Sequence, residues 1–320
     1  MIETMSLYRP GPAWRQENNS INRTVVTGDP LSAIYNEGTW RLSKVSPLYN
    51  LQYDTVKLKQ YASKIRQALV SEVAANSSIK YVVQIEERAN LKYCEDDASA
   101  LFISVLSSTH EKNSTSKVSY TSILLSWGIS ITLDKATHLP YMLERGEQKI
   151  GTPVKSTLQT IFDCQIIPFS FTQQQLFFFG FNFVDNDSSR NTDPFTLIYR
   201  KVDHKEKLKL SFEVGDIQII WNGIKDEIEP EKSDMVNMVK LAYQMLQNQI
   251  FHTILLDITV LNLSEVTLPR AEVKSSGVVK MKTPEIVNCV FTVLNEINHN
   301  NIYPDQDSSD SAGNIRRFLG

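Results

Sequence analysis

Histidine, cysteine and paired carboxylates could do chemistry in this chain, but their spacing matches no common reaction. The five histidines are dispersed, and none has a histidine or cysteine neighbour at helix or strand spacing. Cys94, Cys164 and Cys289 are too far apart in sequence for a CxxC metal knuckle or a disulfide framework. The adjacent acids Asp96 and Asp97 fit a solvated loop better than an acid/base pair. We therefore predict no catalytic residue, no metal site and no cofactor.

Motifs for phosphate binding and nucleophilic catalysis are also missing. Neither GxxxxGK(S/T) nor GxGxxG occurs among the 12 glycines. The chain has no nucleophile elbow, no HExxH pair and no zinc-deaminase signature. Because catalytic residues can be dispersed in sequence and assembled by the fold, a divergent hydrolase stays open as an alternative. The sequence favours a binding protein.

Two groups of basic residues are candidates for contact with DNA phosphates. The formal net charge of −3 means that such contact must come from local patches. We expect both groups to lie on exposed strand faces that could line one groove, and the alternative is a plain solvated face. The candidates are Lys205, Lys207 and Lys209, beside Arg200 and Lys201, and then Arg270, Lys274, Lys280 and Lys282.

Apolar residues near the C-terminus are candidates for a protein interface. Alternation at Ile254, Leu256, Ile258 and Val260 predicts a strand from about 253 to 261, and it is apolar on both faces. We predict that this strand and Phe291, in the last helix, contact a partner subunit. A central core strand is the alternative interpretation.

The elements that position these residues predict an α+β fold with a largely antiparallel sheet flanked by α-helices. Aspartate caps, Thr-Pro pairs and three- to four-residue apolar spacing predict the helices, whereas alternation and short apolar runs predict the strands. Five helices are predicted: one after Asp54, one from Thr152-Pro153 to near Cys164, one over 217–224, one that begins at Ser233 and one after Pro284. Predicted strands start at Ile79, cover 100–106, 118–132, 176–183 (LFFFGFNF) and 207–214, and include 277–282.

Length and composition predict one folded body. We expect a flexible N-terminal arm at 1–36, a folded domain at 37–298 and a disordered polar tail at 299–320, because apolar periodicity is continuous only in the middle. Few cysteines indicate a reducing compartment. No signal peptide or membrane span is predicted.

Landmarks along the chain, through their order and spacing, resemble the centromere protein L family over roughly residues 38 to 297. They are Trp40, SPLYNL at 46–51, IGT at 150–152, FDC at 162–164, LKLSFEV at 208–214, the helix around Trp221 and the segment 251–297. None of these landmarks is catalytic.

The resemblance implies a non-catalytic subunit of the inner kinetochore with a curved sheet. It further implies a heterodimer with centromere protein N within the constitutive centromere-associated network in the nucleus. The expected role is support of centromeric nucleosome and DNA binding, kinetochore assembly and chromosome segregation in mitosis, with neither a membrane nor a small-molecule substrate. A general curved-sheet DNA-binding protein of recombination or repair is the alternative.

Overall fold

A computed structural model describes residues 29–73, 79–109, 116–129, 135–186, 189–201, 206–227 and 235–302. The chain divides into two compact units. Unit 1 is built on Trp40–Phe169, and unit 2 on Ile34–Thr39 and the residues from 170 onward. Most of the predicted arm and tail, and Lys205, lie outside the described residues. The predicted single domain at 37–298 stays a prediction.

Unit 1 places two helices against antiparallel strands. Its helices are α2 (Thr55–Glu72) and α3 (Gln148–Phe162), after a short α1 (Ser32–Tyr35) that precedes both. Its strands are β1 (Thr39–Val45), β2 (Leu48–Tyr49), β3 (Ile79–Arg88), β4 (Ala100–Thr109), β5 (Lys117–Leu125), β6 (Ala136–Thr137), β7 (Tyr141–Gly146) and β8 (Ile166–Pro168). The main strands pair in the order β1-β7-β5-β4-β3, β8 also pairs with β1, and β2 pairs with β6. The predicted strands at 79, 100–106 and 118 are confirmed, although β5 ends at Leu125.

Helix α2 follows the predicted pattern. Asp54 accepts hydrogen bonds from the backbone N–H groups of Val56 at 3.0 Å and Lys57 at 2.9 Å, which satisfies two donors that helix geometry leaves unpaired. One stripe of the helix is buried and packs into the unit 1 core; it consists of Leu58, Tyr61, Ile65 and Leu69.

The predicted start of α3 at Thr152-Pro153 is wrong. The helix begins at Gln148, and Pro153 lies inside it. The Thr152 hydroxyl donates to the Gln148 carbonyl at 3.1 Å, so it does not cap the helix. The predicted end is confirmed, since Asp163 follows the helix with a left-handed φ of 46°.

Unit 2 places its helices against a second set of antiparallel strands. Its elements are α4 (Gln173–Asn186), β9 (Pro194–Arg200), β10 (Lys207–Glu213), α5 (Val214–Glu227), α6 (Met235–Ile254), β11 (Asn262–Thr267), β12 (Ala271–Lys274), β13 (Val278–Met281) and α7 (Pro284–Ile302). The strands pair in the order β10-β9-β11-β12-β13. The helices predicted around 217–224 and from Pro284 are confirmed, as is the α+β class. None of the helices in the described ranges is long and apolar enough to cross a bilayer.

The predicted core strand at 176–183 is wrong, because these residues form most of α4. The five phenylalanines form a short run without hydrophobic periodicity, because the helix is buried on nearly all sides. Periodicity therefore could not distinguish a helix from a strand here. Thr172 and Gln175 cap the helix reciprocally: the Gln175 N–H donates to the Thr172 hydroxyl at 3.2 Å, and the Thr172 N–H donates to the Gln175 side chain at 3.0 Å. This capping box was readable in the sequence.

The predicted strand at 253–261 is also wrong. Helix α6 continues to Ile254, and Leu255 ends it in a left-handed conformation with φ 53°. Asp257 then accepts from the Thr259 N–H at 2.8 Å and caps a 3₁₀ turn at Ile258–Val260. The strand begins only at Asn262. The apolar alternation therefore came from a helix end and a turn.

Candidate binding surfaces

Cysteine, histidine and carboxylate side chains of the described residues form neither a metal-ligand cluster nor an activated thiol. No group of three or more His, Cys, Asp or Glu residues there could hold a metal ion. All three cysteines are free, and burial raises the pKa of Cys94 and of Cys164 to about 11. Their thiols are therefore protonated near neutral pH and are weak nucleophiles.

The carboxylate of Asp97 joins two loops of unit 1. Its Oδ2 accepts from the backbone N–H of Tyr93 at 3.0 Å and of Gly128 at 2.9 Å. Its Oδ1 accepts from the Cys94 thiol at 3.0 Å. Because these donors occupy a buried carboxylate, Asp97 holds the loops together and is not placed as a general base.

Glu144 is the centre of a buried ion cluster in unit 1. Its side chain is 4% exposed and lies 3.3 Å from the Arg41 Nε and 3.0 Å from the Lys155 Nζ. The Tyr120 hydroxyl donates to its other oxygen at 2.9 Å, and burial and this negative charge raise the Tyr120 pKa. A Cβ on Gly151 would lie 2.8 Å from the Tyr120 ring, so the glycine lets α3 approach closely. The ion pairs and the hydrogen bond of this cluster join strands of the sheet to α3, so we interpret the cluster as structural.

One face of the unit 2 strands is polar, and it carries the predicted basic residues. Side chains of paired residues point to the same face of a sheet, so the strand registers define rows across it. The apolar face carries the core side chains of β9, β11 and β13. The polar rows are Lys207–Arg200–Asn262, Lys209–Ile198–Glu265–Lys274 and Ser211–Thr196–Thr267–Glu272–Lys280. Members of both predicted basic groups therefore share one face, whereas Arg270, Lys282 and Lys201 lie outside these paired rows.

Charges within the polar face are not equally available. The Lys274 Nζ lies 2.9 Å from Glu272 and 3.3 Å from Glu265, so two carboxylates already neutralise it. The Lys280 Nζ donates to the Pro269 carbonyl at 3.2 Å. Lys207 and Lys209, in contrast, are exposed on β10. The β10 end of the face is the more available for a phosphate backbone.

A shallow cavity lies at the end of β9 beside the polar face. Its volume is about 390 Å³, and exposed Arg200 and Lys201 contribute to its wall. The Gln173 side chain closes another wall, where its Oε1 accepts from the Leu263 N–H at 2.9 Å. The lining contains these two cations and no carboxylate, so the cavity suits an anionic group.

Helix α6 exposes large apolar side chains in addition to its buried core stripe. Its core stripe is buried and includes Val239, Ala242 and Leu246. On the other side Phe251 is 48% exposed, and Leu255, just past the helix, is 80% exposed. Leu241, Met245, Ile254 and Val260 are exposed as well. Together with Phe251 and Leu255 they are called the α6 outer face. Exposed apolar side chains that lie near one another often mark a site of protein contact.

The predicted interface residues separate into two groups. Ile254 and Val260 are exposed and belong to the α6 outer face, and Leu256 is half-buried. Ile258 and Phe291 are buried in unit 2. Leu241, Met245, Phe251 and Leu255 were missed as contact candidates. Leu241 and Met245 are four residues apart, as are Phe251 and Leu255, but no local pattern shows that these side chains stay exposed.

The polar sheet face with its exposed cations and the exposed apolar side chains of α6 are the candidate contact surfaces of the described residues. The family model for centromere protein L matches residues 34–318, and the chain belongs to that family. It is therefore a component of the kinetochore at the centromere. The match extends beyond 297, where the resemblance by landmarks ended. No individual curated protein gives a significant match.

Proposed function

We propose that this chain is a non-catalytic subunit of the inner kinetochore that pairs with centromere protein N and supports the binding of centromeric DNA. The α6 outer face is the pairing surface, and the polar face of unit 2 contacts the DNA. Through both contacts the subunit contributes to kinetochore assembly and chromosome segregation in the nucleus. The carrying observation is that α6 and the turn after it expose large apolar side chains, with Phe251 and Leu255 among them.

Burial on association is the driving force for the pairing. Exposed Phe251 and Leu255 would each remove a large apolar side chain from water, and aromatic residues are frequent energetic centres of interfaces. A stable interface buries about 1,200 Å² or more, so the α6 outer face would form its centre with polar residues around it. Family membership supports the identity of the partner.

Available cations support the DNA contact. Arg200, Lys201, Lys207 and Lys209 are exposed, and none forms an ion pair with another described residue. Exposed cations on and beside one sheet face suit the phosphate backbone and carry no base specificity. We therefore expect sequence-nonspecific binding.

The pairing is tested by co-elution of the two subunits at micromolar concentration. Phe251→Asp and Leu255→Asp should each abolish co-elution, because a charge at the centre of an apolar interface is left unpaired. Both side chains are exposed, so each variant should unfold close to the wild-type temperature. Ile167→Asp, at an exposed apolar site of unit 1, is the matched control and should still co-elute. Retention of the partner by both α6 variants would place the interface elsewhere.

The DNA contact is tested by the salt dependence of binding of the paired complex to a DNA duplex. If Arg200, Lys201, Lys207 and Lys209 each neutralise one phosphate, changing all four to alanine should lower the log–log salt slope by about 3.6. Lys274→Ala should change the slope little, because Glu265 and Glu272 already hold that lysine. An unchanged slope in the quadruple variant would show that these cations form an ordinary solvated face.

A further inference from the structure

The outer side of α2 in unit 1 carries cations that nothing in the described structure neutralises. Lys59, Lys64 and Arg66 are exposed, and none forms an ion pair with another described residue. The only acidic residue within the helix is Glu72, at its C-terminal end. This side of unit 1 is therefore a concentrated positive surface.

Two valines lie on the outer side of α2, with Lys59 near them and Lys64 and Arg66 on opposite flanks. Val56 is 61% exposed and Val70 is 51% exposed, and 14 residues of helix place them about 21 Å apart. At about 100° per residue both point away from the buried stripe. Between them lies a shallow groove of about 520 Å³, lined by Val56, Lys59, Gln60, Ser63, Lys64 and Gln67.

The fold of unit 1 does not need this outer side. The other sides of α2 pack against β3 and α3. Asp54 caps the helix, and the core stripe buries its apolar side, so neither depends on the outer side. Exposed β-branched residues give a helix no intrinsic advantage, so Val56 and Val70 are unexplained by local stability.

We propose that the outer side of α2 is a docking surface for an acidic, amphipathic polypeptide segment of a partner protein. Carboxylates of the segment meet Lys59, Lys64 and Arg66, and apolar side chains at its two ends cover Val56 and Val70. Charge complementarity selects an acidic partner, and the valines favour polypeptide over nucleic acid, because a phosphate backbone has no apolar group to cover them. This surface belongs to unit 1, whereas both surfaces of the proposed function belong to unit 2.

The test uses the full chain and three fluorescent probes. The first is a glutamate-rich helical peptide with two leucines spaced to match Val56 and Val70, the second replaces both leucines with serine, and the third is a DNA duplex. We expect the leucine peptide to bind more tightly than the serine peptide, with an affinity that falls as salt is added.

Variants separate the charge from the apolar contact. Reversal of Lys59, Lys64 and Arg66 to glutamate should weaken the leucine peptide at least about tenfold, through three lost pairs and new repulsion. Val56→Ser combined with Val70→Ser should remove the preference for the leucine peptide while keeping the charges. The matched control reverses three other exposed lysines of unit 1, Lys80, Lys117 and Lys135, and makes the same change in net charge.

Three results decide the proposal. Peptide binding that is lost in the α2 reversal but kept in the control reversal supports it, provided that DNA affinity is unchanged. Equal loss in both reversals shows only a net-charge effect and overturns it. Loss of DNA affinity in the α2 reversal, with peptide affinity kept, also overturns it and assigns the helix to nucleic acid.

Discussion

Replacing Glu144 with glutamine tests whether the buried ion cluster stabilises unit 1. Glutamine keeps the size of the side chain and an oxygen that can accept from the Tyr120 hydroxyl, but it removes the negative charge. Arg41 and Lys155 would then face each other across a neutral group. Their side chains are 31% and 24% exposed, so water can reach them only in part.

The magnitude follows from this partial exposure. Removing one member of a fully buried ion pair costs about 3–5 kcal/mol, because the other charge is left without a partner. Pairs open to solvent contribute at most about 1 kcal/mol. With a buried carboxylate and two partly exposed cations, we expect Glu144→Gln to lower the free energy of unfolding by about 2–4 kcal/mol.

Urea denaturation followed by tryptophan fluorescence measures this loss. A double-mutant cycle with Lys155→Met should give a coupling of about 0.5–3 kcal/mol, since the two charges are in direct contact. Glu147→Gln is the control: it breaks the exposed pair with Lys149 and should leave the midpoint unchanged. A loss below about 0.5 kcal/mol for Glu144→Gln would show that hydration replaces the ion pairs and would refute the reasoning.

Three further predictions concern packing, pH and domain organisation. Gly180→Ala should lower the free energy of unfolding by about 1–3 kcal/mol, because the new Cβ would lie 3.0 Å from Val266 and 3.2 Å from Phe195. Urea denaturation measures this change, and a gain in stability would mean that helix propensity outweighs the crowding. Burial raises the pKa of Glu296 to about 7, above its unfolded value, so stability should fall as the pH rises from about 5 to about 8. Glu296→Gln should flatten this dependence in thermal denaturation, and an equally steep profile would assign it to another group. Limited proteolysis should trim the two ends and leave 37–298 intact, whereas a stable fragment ending near about residue 170 would show that the two units unfold separately.

Local signals in the sequence were sufficient for elements with one buried face. Asp54 and the apolar stripe after it predict α2, and Pro284 with a similar stripe predicts α7, because the cap and the period agree. The prediction failed for the phenylalanine run of α4, because a helix buried on all sides shows no hydrophobic periodicity. The segment 253–261 failed because Leu255 adopts a left-handed conformation that leucine propensity does not indicate.

The candidate surfaces were predictable only in part. Alternation in β10 correctly placed Lys207 and Lys209 on an exposed face. Neutralisation of Lys274 by Glu265 depends on the register of the β11–β12 hairpin, and this hairpin was not recognised because the strand was predicted at 253–261 instead. Likewise, the outer face of α6 became recognisable only once its inner face was known.

The apolar outer side of α6 has a consequence for the life of the chain in a cell. A newly made subunit presents Phe251 and Leu255 to water, and exposed apolar surface of this kind is what chaperones and proteases bind. The proposed partner would cover α6 and so protect it from degradation. The amount of this protein should therefore follow the supply of its partner, and cells lacking the partner should lose the subunit although its gene is still expressed.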